Sequence, residues 1–173
     1  MTLPLALLLM LMPAPAPLMP VPPPDSSTPA PDPYFTIAFD PAADAMGEVD
    51  LRLARAKLSG KRVLLVMGYN GCHDSGWFAN LMEKPRFQSL LFNNFELAYI
   101  DVGMPQRGKG RNLDIARRFG LKKLKGTPTI AVLDANGRLL NKKQAPTWRN
   151  VASWTEDATY AGLSAYALPR AAH

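Results

Sequence analysis

Two apolar runs, Arg62–Met67 and Leu97–Val102, constrain this chain more than any other feature. Neither alternates with polar residues, which is the pattern of strands covered on both faces. Between them, Trp77, Phe78, Leu81 and Met82 recur at helical spacing, and so do Phe87, Leu90, Leu91 and Phe95, with Lys84-Pro85 dividing the two sets. Strand, helix and strand in that order predict a parallel crossover and a layered α/β domain. The aromatic and β-branched run Tyr34–Phe39 predicts a further strand. A helix is expected to open at Asp40-Pro41 and to close at Gly60. Leu113, Ile115, Ala116, Phe119 and Leu121 supply the buried side of another, ended by Gly120. Ile130–Leu133, the turn Asp134–Gly137 and Arg138–Leu140 read as a hairpin, Asn136-Gly137 being a strong turn signal. A last amphipathic helix is expected from about Asn150, with Val151, Trp154, Ala158, Ala161 and Ala165 on one side.

A chain of 173 residues suffices for one such domain plus a tail, and the tail is legible at the start. Leu3–Met12 is almost wholly apolar, then Pro13, Pro15, Pro17 and Pro20 end any helix. That run is far short of the roughly 20 residues needed to cross a bilayer but suits the core of a signal peptide. No Lys or Arg precedes it. From Pro20 to Pro33 the composition is that of an extended linker rich in Pro and Ala. Residues 1–33 therefore read as a signal-like segment and linker, and 34–173 as the folded domain. An exported protein, periplasmic or envelope-associated, is expected, with no transmembrane helix beyond that segment.

The net charge of +6 comes from 20 Lys and Arg against 14 Asp and Glu. It is densest between Gly103 and Gly126, where eight basic residues from Arg107 to Lys125 face the single acid Asp114. A solvated face explains most of them. No aromatic stacking pattern accompanies them beyond Phe119, so specific nucleic-acid recognition is not expected. Gly108-Lys109-Gly110 lacks the strand and spacing of a phosphate loop.

The chain has one cysteine, Cys72, so no internal disulfide exists, and His73 and His173 do not complete a zinc set with it. No metal and no cofactor is expected. Cys72 falls after the turn Tyr69-Asn70-Gly71, where a buried strand gives way to a helix. First-turn N–H groups and the helix dipole at such a junction favour the thiolate, which is the nucleophilic form.

The order of these elements resembles the thioredoxin superfamily over roughly Tyr34 to Ala167. The resemblance is strongest in Ala116–Leu121 followed by Gly126-Thr127-Pro128-Thr129-Ile130 and the Asp134–Gly137 turn, which look like that family's approach to its cis-proline and final antiparallel strands. Met82–Phe87, Phe92–Phe95 and Asp101 resemble the branch with a two-part helix after the active site. What this implies is a thioredoxin fold, a central mixed β-sheet flanked by helices, with Cys72 as the attacking cysteine. Pro128 would then be a cis-proline beside it, and Thr127 would present backbone groups to a substrate strand.

The departures from that pattern restrict the chemistry. Ser75 stands where the resolving cysteine of Cys-x-x-Cys would be, Gly71 replaces the tryptophan that often precedes the first cysteine, and Val66 lies near the place of a buried acid. A two-cysteine cycle within this chain is excluded. The expectation is monothiol exchange by a thiol-disulfide oxidoreductase or isomerase: Cys72 attacks a disulfide and an external thiol resolves the adduct. Ser75 would hydrogen-bond the thiolate, His73 would supply charge or a proton, and Asp74 would oppose the thiolate. Partners would be protein or small-molecule thiols and disulfides, glutathione among them. The alternative is a redox-inactive binding or chaperone-like module that uses the cis-proline groove, with Cys72 a leftover thiol.

Overall fold

The computed structural model describes residues 38–168. The leader, the linker and most of the predicted strand Tyr34–Phe39 lie outside the described residues; within them, Ala38 and Phe39 are irregular. Helix α1 runs Ala45–Ser59 and ends at Gly60, whose φ of 72° is the left-handed conformation that glycine adopts without a Cβ penalty. It starts later than Asp40-Pro41 predicted. The Asp40 side chain accepts from Ala42 N at 2.8 Å and makes a local turn, while Asp44 accepts from Gly47 N at 3.0 Å as the true cap.

Strand β1 (Arg62–Gly68) is buried from Val63 onward, as the apolar run requires. Its side chains divide between two cores. Val63, Leu65 and Met67 face α1 with Val49, Ala56, Ile115 and Ala131, whereas Leu64 and Val66 face Phe78, Met82, Phe87, Trp148 and Leu163. The chain then forms α2 (His73–Met82) and α3 (Pro85–Asn94), with Pro85 at the first helical position where its missing N–H costs nothing. Strand β2 (Phe95–Asp101) returns parallel to β1, from Arg62 opposite Phe95 to Gly68 opposite Asp101. A small ribbon of β3 (Gly103–Met104) and β4 (Lys109–Gly110) follows, then α4 (Leu113–Arg118).

Strand β5 (Thr129–Leu133) lies antiparallel on the other side of β1, so the sheet order is β2-β1-β5 and the sheet is mixed. The predicted partner strand Arg138–Leu140 is reduced to one bridge, Leu133 to Leu139, plus the bond from Leu140 N to Val132 O at 2.8 Å. Asn141 is the reason. Its fully buried amide accepts from Val132 N at 2.9 Å and donates to Ile130 O at 2.8 Å, so a side chain occupies backbone groups that a longer strand would use. The last helix also differs from expectation. Residues Ala145–Ser153 are 3-10 in character and broken at Asn150, and α5 (Glu156–Ser164) starts only after Thr155, whose hydroxyl accepts from Ala158 N at 3.1 Å.

Candidate functional site

The site is assembled where two strand ends meet. β1 finishes at Gly68 while β5 begins opposite it, Met67 pairing with Thr129, so the turn after β1 and the turn before β5 are neighbours. The first turn is fixed by Asn70, whose side chain accepts from Phe39 N at 3.0 Å and donates to Phe39 O at 2.7 Å. Cys72 N then donates to Tyr69 O at 3.1 Å, which places Cys72 as the residue before α2, in an extended conformation. The second turn holds a cis Thr127–Pro128 bond. Thr129 Oγ1 secures it by donating to Gly126 O at 3.0 Å.

Cys72 and Thr127 meet across these turns. The half-buried thiol donates to Thr127 O at 3.3 Å, a contact between residues 55 apart in sequence. The side chain of Cys72 makes no capping bond to the first turn of α2, so the thiol is directed to the proline turn rather than to the helix N–H groups. Thr127 and Pro128 are themselves buried, which leaves backbone as what they present. The N–H groups of Lys122 to Thr127 make no hydrogen bond among the described residues.

Ser75 does not join this pair. It is fully buried, and its Oγ has no hydrogen-bond partner among the described residues. The side chain points to β1: a Cβ at Gly68 would fall 2.6 Å from Ser75 Oγ and 2.7 Å from the Phe39 ring. The expected bond from Ser75 to the Cys72 sulfur is therefore absent, because the inward face of α2, with Ser75, Phe78, Ala79 and Met82, belongs to the sheet. His73 is exposed at the first position of α2. Asp74 has a task that its expected opposition to the thiolate did not anticipate: its Oδ1 accepts from Ala152 N at 2.9 Å and ties α2 to the 145–153 segment.

Sequence reasoning missed three contributors, Asn70, the Asp74 anchor and Arg149. The Arg149 stem lies against Gly126, where an added Cβ would meet Arg149 Cδ at 3.1 Å and Cβ at 3.3 Å. Asn70-Gly71 was at least visible as a turn, but nothing local marks Ala152 or Arg149, which arrive through tertiary packing. Among the described residues no three His, Cys, Asp or Glu side chains are grouped to hold a metal ion, and no helix is long and apolar enough to cross a membrane.

Comparison with known proteins places this geometry. A family model described as thioredoxin-like matches residues 44–135, more than half of the chain. Among solved structures, a disulphide isomerase from Xylella fastidiosa Temecula1 is similar, with 25% sequence identity and a TM-score of 0.68, over 75% of this chain and 96% of that one. Among curated proteins, none matches the chain.

Proposed function

The chain belongs to the thioredoxin-like family and has its fold, a mixed central sheet flanked by helices; from that premise we propose that it performs monothiol thiol-disulfide exchange through Cys72. The likeness to a disulphide isomerase supports chemistry of the thiol-disulfide oxidoreductase kind. The observation that carries the finer reading is the half-buried Cys72 thiol 3.3 Å from Thr127 O, between a helix start and a proline turn.

In the first step the Cys72 thiol gives its proton to solvent and the sulfur attacks one sulfur of a disulfide RS–SR′. A bond forms between Cys72 Sγ and RS, the S–S bond of the substrate breaks, and R′S⁻ leaves to take up a proton. An external thiol, glutathione or another protein's cysteine, then attacks the adduct, releases Cys72 and carries RS away as a new disulfide. With Ser75 in place of a second cysteine, no internal resolution competes. Thr127 and Pro128 hold the substrate strand through backbone, and exposed His73 supplies charge or a proton at the mouth. Export to the cell envelope, proposed from residues 1–33, would bring the site to a compartment where disulfides persist.

The test is the mass of the folded chain after incubation with glutathione disulfide and with a peptide disulfide. One adduct per chain, absent in Cys72→Ser and removed by added thiol, is expected. No adduct on the folded chain, while the unfolded chain reacts, overturns the proposal. Retention of extended peptides by Cys72→Ala would then favour the redox-inactive module.

A further inference from the structure

One group of charges borders the Cys72 site without a role in the exchange step. Lys122, Lys123 and Lys125 are exposed on the segment that leads into the proline turn, which buried Leu121 and Leu124 pin to the core. Lys125 is two residues from Thr127, about 7 Å of chain at most. Arg149 arrives from the other side, its stem laid on Gly126 and its backbone held near α2 by the bond from Ala152 N to Asp74. None of these four cations has an acidic partner within ion-pairing distance among the described residues, unlike Arg52, Lys84, Arg86, Arg111, Arg118 and Arg138. The Asp74 carboxylate is turned to Ala152 N rather than to these cations.

We propose that Lys122, Lys123, Lys125 and Arg149 form a cationic rim that selects disulfides lying in acidic polypeptide segments. The inference rests on the exchange reading above and names its substrate class. Charge complementarity gives the sign of the partner. The backbone gives its class, since the N–H groups of Lys122 to Thr127 make no bond among the described residues and the carbonyls of an extended chain can accept from those that face it. Unpaired, exposed charges act chiefly on encounter, so the preference belongs to the rate of attack and weakens with salt.

The experiment uses two peptides of equal length, one with acidic and one with basic residues around a single cysteine held as a mixed disulfide with thionitrobenzoate. Release of the coloured thiolate gives the rate of attack by Cys72. At low salt the acidic peptide is expected to react about tenfold faster, and the ratio to fall towards one at about 1 M salt, where the Debye length is about 3 Å. The Lys125→Gln, Arg149→Gln pair should lower the ratio severalfold. Arg55→Gln with Lys57→Gln, exposed on α1 and removing the same net charge, should not. Equal rates for the two peptides in the parent chain, or an equal fall in both variant pairs, overturn the rim while leaving exchange intact. No thiolate release with either peptide overturns exchange and the rim together. Where the Lys125→Gln, Arg149→Gln pair folds poorly, Lys122→Gln with Lys123→Gln, both exposed, is expected to lower the ratio against the same α1 control, and no fall overturns the rim.

Discussion

At Cys72 the thiol hydrogen is engaged by Thr127 O, and the nearby Ser75 takes no part in that contact. Ser75 Oγ points instead at β1 and the Phe39 ring, near Gly68. Cys72 has φ −106° and ψ 118°, so it stands outside the helix whose third residue is Ser75. The position of the cysteine was legible from the apolar run and turn before it, but the direction of its side chain was not. Ser75 carries a buried hydroxyl without a partner among the described residues, a burden of about 1–3 kcal/mol. Ser75→Ala is therefore expected to raise stability by about 1 kcal/mol in urea unfolding and to leave the rate of adduct formation at Cys72 within twofold. A tenfold loss of that rate would return Ser75 to the chemistry.

Among the elements, strands and helices with strong apolar spacing were readable and those organised by single polar side chains were not. β1 is where Arg62–Met67 placed it, because a short apolar run closed by a turn signal suits a strand covered on both faces. The strand expected at Arg138–Leu140 fails for a reason no periodicity carries, the amide of Asn141 on Ile130 and Val132. The 145–153 segment is of the same kind. It depends on Asp74, so Asp74→Ala should loosen it, with faster hydrogen exchange at the Ala152 amide and a stability loss of about 1.5–3 kcal/mol, the range for a hydrogen bond to a charged group. Asp74→Asn keeps an acceptor at that position and should recover most of the protection. Unchanged exchange at Ala152 in the alanine variant would dissolve the anchor.

For the molecule as a whole, one tyrosine packed against the core makes stability depend on pH at the alkaline end. Tyr99 lies on the β2 face that packs with Phe39, and its buried hydroxyl has no hydrogen-bond partner among the described residues. Burial pushes its pKa well above the ordinary tyrosine value of 10.0, and the charge of Glu83 adds to the shift. Below about pH 10 the folded and unfolded chains both hold the proton and no stability is lost. Above it the unfolded chain releases the proton first, so stability falls by up to about 1.4 kcal/mol per pH unit until the folded group titrates. Tyr99→Phe should remove that alkaline slope and, by deleting an unpartnered hydroxyl, stabilise the protein at neutral pH. A slope preserved in the phenylalanine variant would assign it to other groups.

The thioredoxin-like architecture was legible because its signals are long and apolar, whereas the site is a meeting of two short turns whose partners lie far apart along the chain. That separation governs when reactivity can arise. The β1/β5 ladder brings the two turns together, so a chain still emerging, or cut before β5 is complete, has Cys72 and the start of its helix but nothing that holds the Thr127 carbonyl against the thiol. Closing so long a loop costs entropy that only the completed ladder offsets. The contact between the Cys72 thiol and Thr127 O is therefore a long-range one, which forms only with the sheet that holds both turns.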